Sequence, residues 1–141
     1  MVRSADTEQE GAGMALQTDF MVVLEDRPGI AARIGEVLGA VGVNIEGLCG
    51  FTSGGLGIMH VLIGEADVDT ARDALAAANV EIMTHRHVAV VPCADHPGEV
   101  GRVMRRLATE EVNCDLVYIA TGERLAIGSD DMDRVIALLG G

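Results

Sequence analysis

The chain of 141 residues has no tryptophan, and its aromatic residues are Phe20, Phe51 and Tyr118 alone. A platform that stacks nucleobases needs several aromatic faces, so this poverty argues against single-stranded nucleic acid as a ligand. Positive charge is scarce too: ten Lys+Arg stand against 22 Asp+Glu, a formal net charge of −12. Affinity for phosphate backbones and for anionic lipid rests on cations, which argues against both partners. No apolar run approaches the ~20 residues of a membrane span. The opening "MVRSADTEQEGAGMALQTD" also lacks the apolar core of a signal peptide, so the expected location is cytoplasmic. Cysteine occurs three times, at Cys49, Cys93 and Cys114, with no CxxC pair. An odd count in such a chain favours reduced, structural thiols over a disulfide framework. What is plentiful is apolar residue: 49% hydrophobic with 23% charged suffices for the core of one domain or two small ones.

One motif is written twice. "DRPGIAARIGEVLGAVGVNIEG", Asp26 to Gly47, aligns without a gap with "DHPGEVGRVMRRLATEEVNCDL", Asp95 to Leu116, at an offset of 69. Seven positions are identical, pairing Asp26 with Asp95, Pro28 with Pro97, Gly29 with Gly98, Arg33 with Arg102, Leu38 with Leu107, Val43 with Val112 and Asn44 with Asn113.

The surrounding pattern supplies the elements. "TDFMVVLE" is a short Val-rich apolar run and predicts a buried strand. Ile30, Ile34, Val37, Leu38 and Val41 follow at one-face helical spacing, with Pro28 suited to the first turn and Gly42 to the exit. "NIEGLCGFTSGGLGIMHVLIGEA" reads as a hairpin turning at Ser53-Gly54-Gly55. "DVDTARDALAAAN" predicts a helix with Val68, Ala71, Leu75 and Ala78 inward, and "VEIMTHRHVAVVP" is extended. The first repeat is therefore β-α-β-β-α-β. The second repeats the order through the "DDMDRVIALL" helix, where Met132, Val135 and Leu139 take the places of Val68, Ala71 and Leu75 at an offset of 64. The difference between the offsets predicts a second hairpin five residues shorter. A fourth strand is missing from the second repeat. Between "EIMTHR" and "HVAVV" no Gly, Pro or Asn marks a turn, which predicts one long strand, straight or bulged, serving both repeats. At ~3.3 Å per residue it would run on the order of 40 Å.

The expected fold is thus α+β: two ferredoxin-like βαββαβ units with antiparallel sheets, the second lacking its last strand. The expected divisions are a flexible tail over residues 1–16, a first unit over 17–87 and a truncated second unit over 88–141. The strands "FMVVL", "IMHVLI" and "VAVV" are apolar at consecutive positions, as strands buried on both faces are. Either the units cover each other, or a second copy or another protein does.

The loop Asp26–Gly29 lies at the sheet end where the first helix begins, whose free N–H groups favour an anion. Asp26 adds a negative charge beside them, and Asn44 returns to the same region after the helix; 18 residues separate the pair, as they separate Asp95 from Asn113. An anion-seeking helix end, an ammonium-seeking carboxylate and an amide make a cradle for a zwitterionic α-amino acid. The competing reading is that Asp26 and Asn44 only tie down turns.

A strand followed by "LEDRPGIAARIGEVLGAVGVNIEG" resembles the signature of the ACT domain, an amino-acid-binding regulatory module, as found in phosphoglycerate dehydrogenase and in acetolactate synthase regulatory subunits. The resemblance covers residues ~18 to 87 and, as a truncated copy, ~88 to 140. It implies ligand contacts at Leu24, Asp26, Arg27, Pro28, Gly29, Ile30, Asn44 and Ile45, and at Asp95, Gly98 and Asn113, with Cys93 at the place of Leu24. The serine-sensing branch carries Asn where this chain has Asp26 and His where it has Leu24, which points to a less polar ligand. The resemblance further implies a non-catalytic sensor of amino-acid metabolism, without cofactor, that forms a homo-oligomer such as a dimer. A regulatory subunit held by a separately encoded metabolic enzyme, such as acetolactate synthase, and a small ferredoxin-like enzyme with a shared site are the alternatives.

Other features carry less. "SGGLG" leads into a strand without Lys-Ser/Thr, so a turn is a better reading than a phosphate loop. His85 and His87 alternate to one strand face, but no third ligand lies nearby in sequence, so no metal site is expected. Arg102, Arg105 and Arg106 stand among acids on a helix and read as a solvated face. No nucleophile stands beside a base, and no catalytic residue is expected.

Overall fold

The computed structural model describes residues 13–140. They fold as two compact units: one is Gln17–His87, and the other joins residues 88–140 to residues 13–16. The expected tail therefore overlaps ordered chain at its end, because strand β1 runs Ala15–Glu25 and Met14 packs against the second unit's core. Residues 1–12 of that tail lie outside the described residues.

In the first unit β1 leads to helix α1 (Ile30–Ala40), the hairpin of β2 (Gly47–Ser53) and β3 (Leu56–Ile63), a 3₁₀ turn over Glu65–Asp67, and helix α2 (Val68–Ala77). Strand β3 is central: it pairs antiparallel with β1 from Thr18 opposite Ile63 to Glu25 opposite Leu56, and with β2 from Gly47 opposite Leu62 to Ser53 opposite Leu56. Period-two alternation puts Phe20, Val22 and Leu24 of β1 with Val61 and Ile63 of β3 on one face. The helices close that face with Ile34, Leu38, Ala71 and Leu75. Val41, expected on the inward stripe, is exposed, because the helix has already ended at Ala40.

Strand β4 runs unbroken over Glu81–Pro92, as the missing turn residues predict. Its residues through His87 belong to the first unit and the remainder to the second. Helix α3 (Glu99–Thr109), β5 (Leu116–Ala120), β6 (Arg124–Gly128) and helix α4 (Met132–Leu139) follow. Here β6 is central, pairing antiparallel with β4 and β5. Ala89, Val91, Leu125 and Ile127 pack under Val103, Leu107, Val135 and Leu139. Among the described residues no strand follows α4.

Two sequence expectations change in detail. Pro28 is outside α1, before the cap residue Gly29, so it rigidifies the loop rather than the first turn. The five-residue difference is not confined to the hairpin. Phe51 opposite Ile58 corresponds to Ala120 opposite Arg124, and these pairs enclose six and three residues. The hairpin accounts for three of the five; the other two fall after β6, where the second unit has no counterpart of the 3₁₀ turn. Val61, Leu62 and Ile63 and the run Val88 to Val91 are buried at consecutive positions, as their apolar runs predict.

Helix ends follow one scheme. After α1, Gly42 at φ 76° lets its N–H reach Gly39 O while Val43 N–H reaches Leu38 O, both at 3.0 Å. After α3, Glu111 at φ 59° does the same with Ala108 O and Val112 with Leu107 O. Arginines supply charge where the second helix of each unit ends: Arg33 donates to Ala78 O, and Arg106 Nη2 to Leu138 O at 2.6 Å.

Candidate functional site

The loop from β1 into α1 turns on Gly29, whose φ of 89° is left-handed; Gly98 has φ 91° at the same place before α3. That backbone, and not crowding, requires glycine, since nothing lies within 4 Å of where a Cβ would stand on either residue. The cap residues of α1 and α3 give no side-chain cap hydrogen bond, and the first N–H of each helix reaches only a backbone carbonyl, Ile30 to Arg27 O and Glu99 to His96 O, both at 3.4 Å.

Asp26 and Asn44 are both exposed, and among the described residues neither side chain makes a hydrogen bond or ion pair. The turn-holding reading needs such bonds and finds none. Arg27 bonds Glu25 at 2.9 Å, an exposed pair of small energetic weight. Pro28 and Gly29 are exposed. Leu24 is 8% exposed and belongs to the core, with Ile30 and Ile45 half-buried against it.

In the second unit Asp95, Gly98 and Asn113 are exposed, and Cys93 is 8% exposed in the core like Leu24. The surroundings differ. Asp95 N–H donates to Glu123 Oε1 at 3.0 Å, and Cys93 N–H to Glu123 O at 2.8 Å. Asn113 O accepts from Ser129 Oγ at 2.6 Å. Burial pushes the Cys93 thiol above the ordinary cysteine range, with the charge of Glu99 adding to the effect.

Two features lie away from the loops. A shallow groove of about 460 Å³ on the second unit is lined by Arg102, Arg105, Arg106, Thr109, Glu110 and Leu138. Its arginines are all exposed, and two of them already bond Glu99 and Leu138 O, as a solvated face would. In the first unit Asp19, fully buried, lies 2.8 Å through Oδ2 from His60 Nδ1, and Cys49 stands opposite His60 on β2. This grouping escaped the sequence reading; its signal was an Asp inside the apolar run of β1 and a His inside that of β3. It is a poor nucleophile set, because burial foremost, and the charge of Asp19 next, raise the Cys49 thiol where a nucleophile needs it lowered. The two strand histidines have separate partners: the His85 ring meets Phe20 edge-on at 6.3 Å between centroids, and His87 Nε2 lies 3.2 Å from Glu65 Oε1. Among the described residues no three His, Cys, Asp or Glu side chains are placed to hold a metal, and no helix is long and apolar enough to cross a membrane.

Residues 18–80 match the family profile of the ACT domain. Among solved structures, a protein from Bacteroides thetaiotaomicron superimposes over 89% of this chain and 87% of its own, with TM-score 0.75 and 23% identity. The ligand-free regulatory subunit of aspartate kinase from Thermus thermophilus does so over 89% and 93%, with TM-score 0.65 and 17% identity. Aspartate kinase from Synechocystis matches over 89% of this chain but 25% of its own, with TM-score 0.60 and 19% identity. At such identities the likeness is one of fold. No curated protein sequence matches the chain.

Proposed function

We propose that the ACT domain of residues 18–80 binds a small α-amino acid at the loop 26–29, and that the protein is a non-catalytic sensor regulating amino-acid metabolism. The observation that carries this reading is the unused polarity of the loop: an exposed Asp26 and Asn44 without hydrogen bonds, beside N–H groups of α1 without a side-chain cap. The N–H groups of the loop, that of Asp26 among them, and of the helix end suit the ligand carboxylate, the Asp26 side chain its ammonium, and Asn44 either group. The apolar residues Leu24, Ile30 and Ile45 suit an aliphatic side chain.

Within this reading residues 88–140 are a second ACT-like copy, the chain acts in the cytoplasm, and it assembles as a homo-oligomer. Exposed apolar residues support assembly, among them Ile119 at 69% and Phe51 at 54%. Light scattering after size exclusion should show at least a dimer at micromolar concentration; a monomer near 14.7 kDa would remove that part of the reading.

A second reading, as regulatory subunit of a separately encoded enzyme, is favoured by the fold likeness to the Thermus thermophilus regulatory subunit. A thermal-shift screen of the protein against the proteinogenic amino acids and their biosynthetic relatives tests the sensor in either setting. A ligand at about 100 times its dissociation constant adds ~2.7 kcal/mol to stability. A screen in which no compound moves the transition would overturn the proposal.

A further inference from the structure

The same loop is open in one unit and occupied in the other, and the occupant is a side chain of the protein itself. In the second unit the carboxylate of Glu123 accepts from the backbone N–H of Asp95 at 3.0 Å. Asp95 corresponds to Asp26, and among the described residues no side chain reaches the N–H of Asp26. The reason lies in the hairpins. Between Phe51 and Ile58 the first hairpin reads Thr-Ser-Gly-Gly-Leu-Gly, without an acid, while the tighter second turn is Thr121-Gly122-Glu123. Glu123 itself sits at φ 54°, a left-handed backbone that glycine would take without strain. Its main-chain carbonyl is fixed by Cys93 N–H at 2.8 Å, which sets the residue directly beside the loop. A strained non-glycine residue that delivers a carboxylate to a loop N–H is a substitution that turn chemistry alone does not favour.

We propose that Glu123 is an internal ligand: its carboxylate fills, in the second unit, the position that the carboxylate of a bound amino acid takes in the first. The chain then binds one amino acid, at residues 26–29, and position 123 decides whether the second loop accepts another. This rests on the amino-acid reading of the first loop.

Acetate, a bare carboxylate, serves as the probe, with backbone amide NMR of the full chain as the readout. In the parent, acetate is expected to shift the Asp26 amide and leave that of Asp95 unmoved. In Glu123→Gly, which suits the positive φ and should fold, the Asp95 amide becomes acetate-sensitive as well. Glu123→Gln keeps an acceptor on the amide and should stay insensitive. An Asp95 amide that responds in the parent as strongly as Asp26, or that stays silent in Glu123→Gly, overturns the inference. Acetate that moves neither amide in any form overturns it too, even if amino acids stabilise the protein. The expected acetate pattern without stabilisation by any amino acid would uphold the internal ligand and sink the sensor.

Discussion

The two units align helix for helix, yet they solve the same positions with opposite chemistry. Phe20 opposite Val61 and Ala89 opposite Ile127 put the sheets in correspondence, so the buried Asp19 and His60 of the first unit match Val88 and Ala126 of the second. All four are buried or nearly so. The comparison teaches that the fold does not need the polar pair. Breaking a buried pair from one side is nonetheless costly: Asp19→Ala should cost about 3–5 kcal/mol, read from urea unfolding. The double change Asp19→Val with His60→Ala copies the second unit and should recover most of that loss. A double variant as unstable as Asp19→Ala would show that the pair supports something the second unit lacks.

The loops come next in expected size. If Asp26 meets a ligand ammonium, Asp26→Asn should weaken binding by ~1.5–3 kcal/mol, about ten- to a hundredfold in dissociation constant, and leave the unliganded melting temperature alone. Asn44→Ala should lower affinity in the same calorimetric titration. Asp95→Asn, behind the Glu123 carboxylate, should change nothing. Equal losses from Asp26→Asn and Asp95→Asn would erase the distinction between the loops.

A smaller contrast concerns the helix exits. Gly42 and Glu111 hold the same place after α1 and α3, at φ 76° and 59°, with the same pair of backbone hydrogen bonds. Glycine takes this conformation freely, and other residues take it at a cost of roughly 1–2 kcal/mol. Glu111→Gly should therefore stabilise by up to about 1 kcal/mol, allowing for glycine's greater freedom in the unfolded chain, while Gly42→Ala destabilises by a similar amount. Chemical denaturation of both variants checks the signs.

These positions also mark what the sequence made legible. Helical spacing located Ile34, Leu38, Ala71 and Leu75 in the core, and the absence of turn residues between Arg86 and Val88 disclosed the length of β4, because both signals are local. The offset of 69 revealed the paired loops. It did not reveal how the five-residue difference divides, since that depends on which residues face each other across β5 and β6. Asp19 and His60 are 41 residues apart, and only the register of β1 and β3 brings them together. Glu123 reaches Asp95 across 28 residues, through a turn conformation that its side chain type argues against. Asp26 and Asn44 were legible as candidates because glycine, proline and polar residues recur at fixed places in both copies. That they stand without hydrogen bonds became visible only in the folded chain.

The smallest contrast separates the first turns of α1 and α3 and depends on pH. Ile30 of the first unit packs toward the core, and Arg33 is left to bond Ala78 O. The second unit has Glu99 and Arg102 at these places, joined by two hydrogen bonds of 2.8 and 3.1 Å. The bond from Arg102 holds the Glu99 carboxyl below the ordinary carboxylate range, with the guanidinium and His96 charges acting in the same direction. A carboxyl whose folded value is depressed adds stability above its unfolded value, and that stability is lost as pH falls through the folded one. Glu99→Gln should therefore lower the urea midpoint slightly at neutral pH, and the gap from the parent should close in acid. Ile30→Val, which carries no charge, should shift the midpoint equally at both pH values. A gap for Glu99→Gln that persists unchanged into strong acid would assign the effect of this residue to packing, as for Ile30, and the two first turns would then differ in composition without differing in electrostatics.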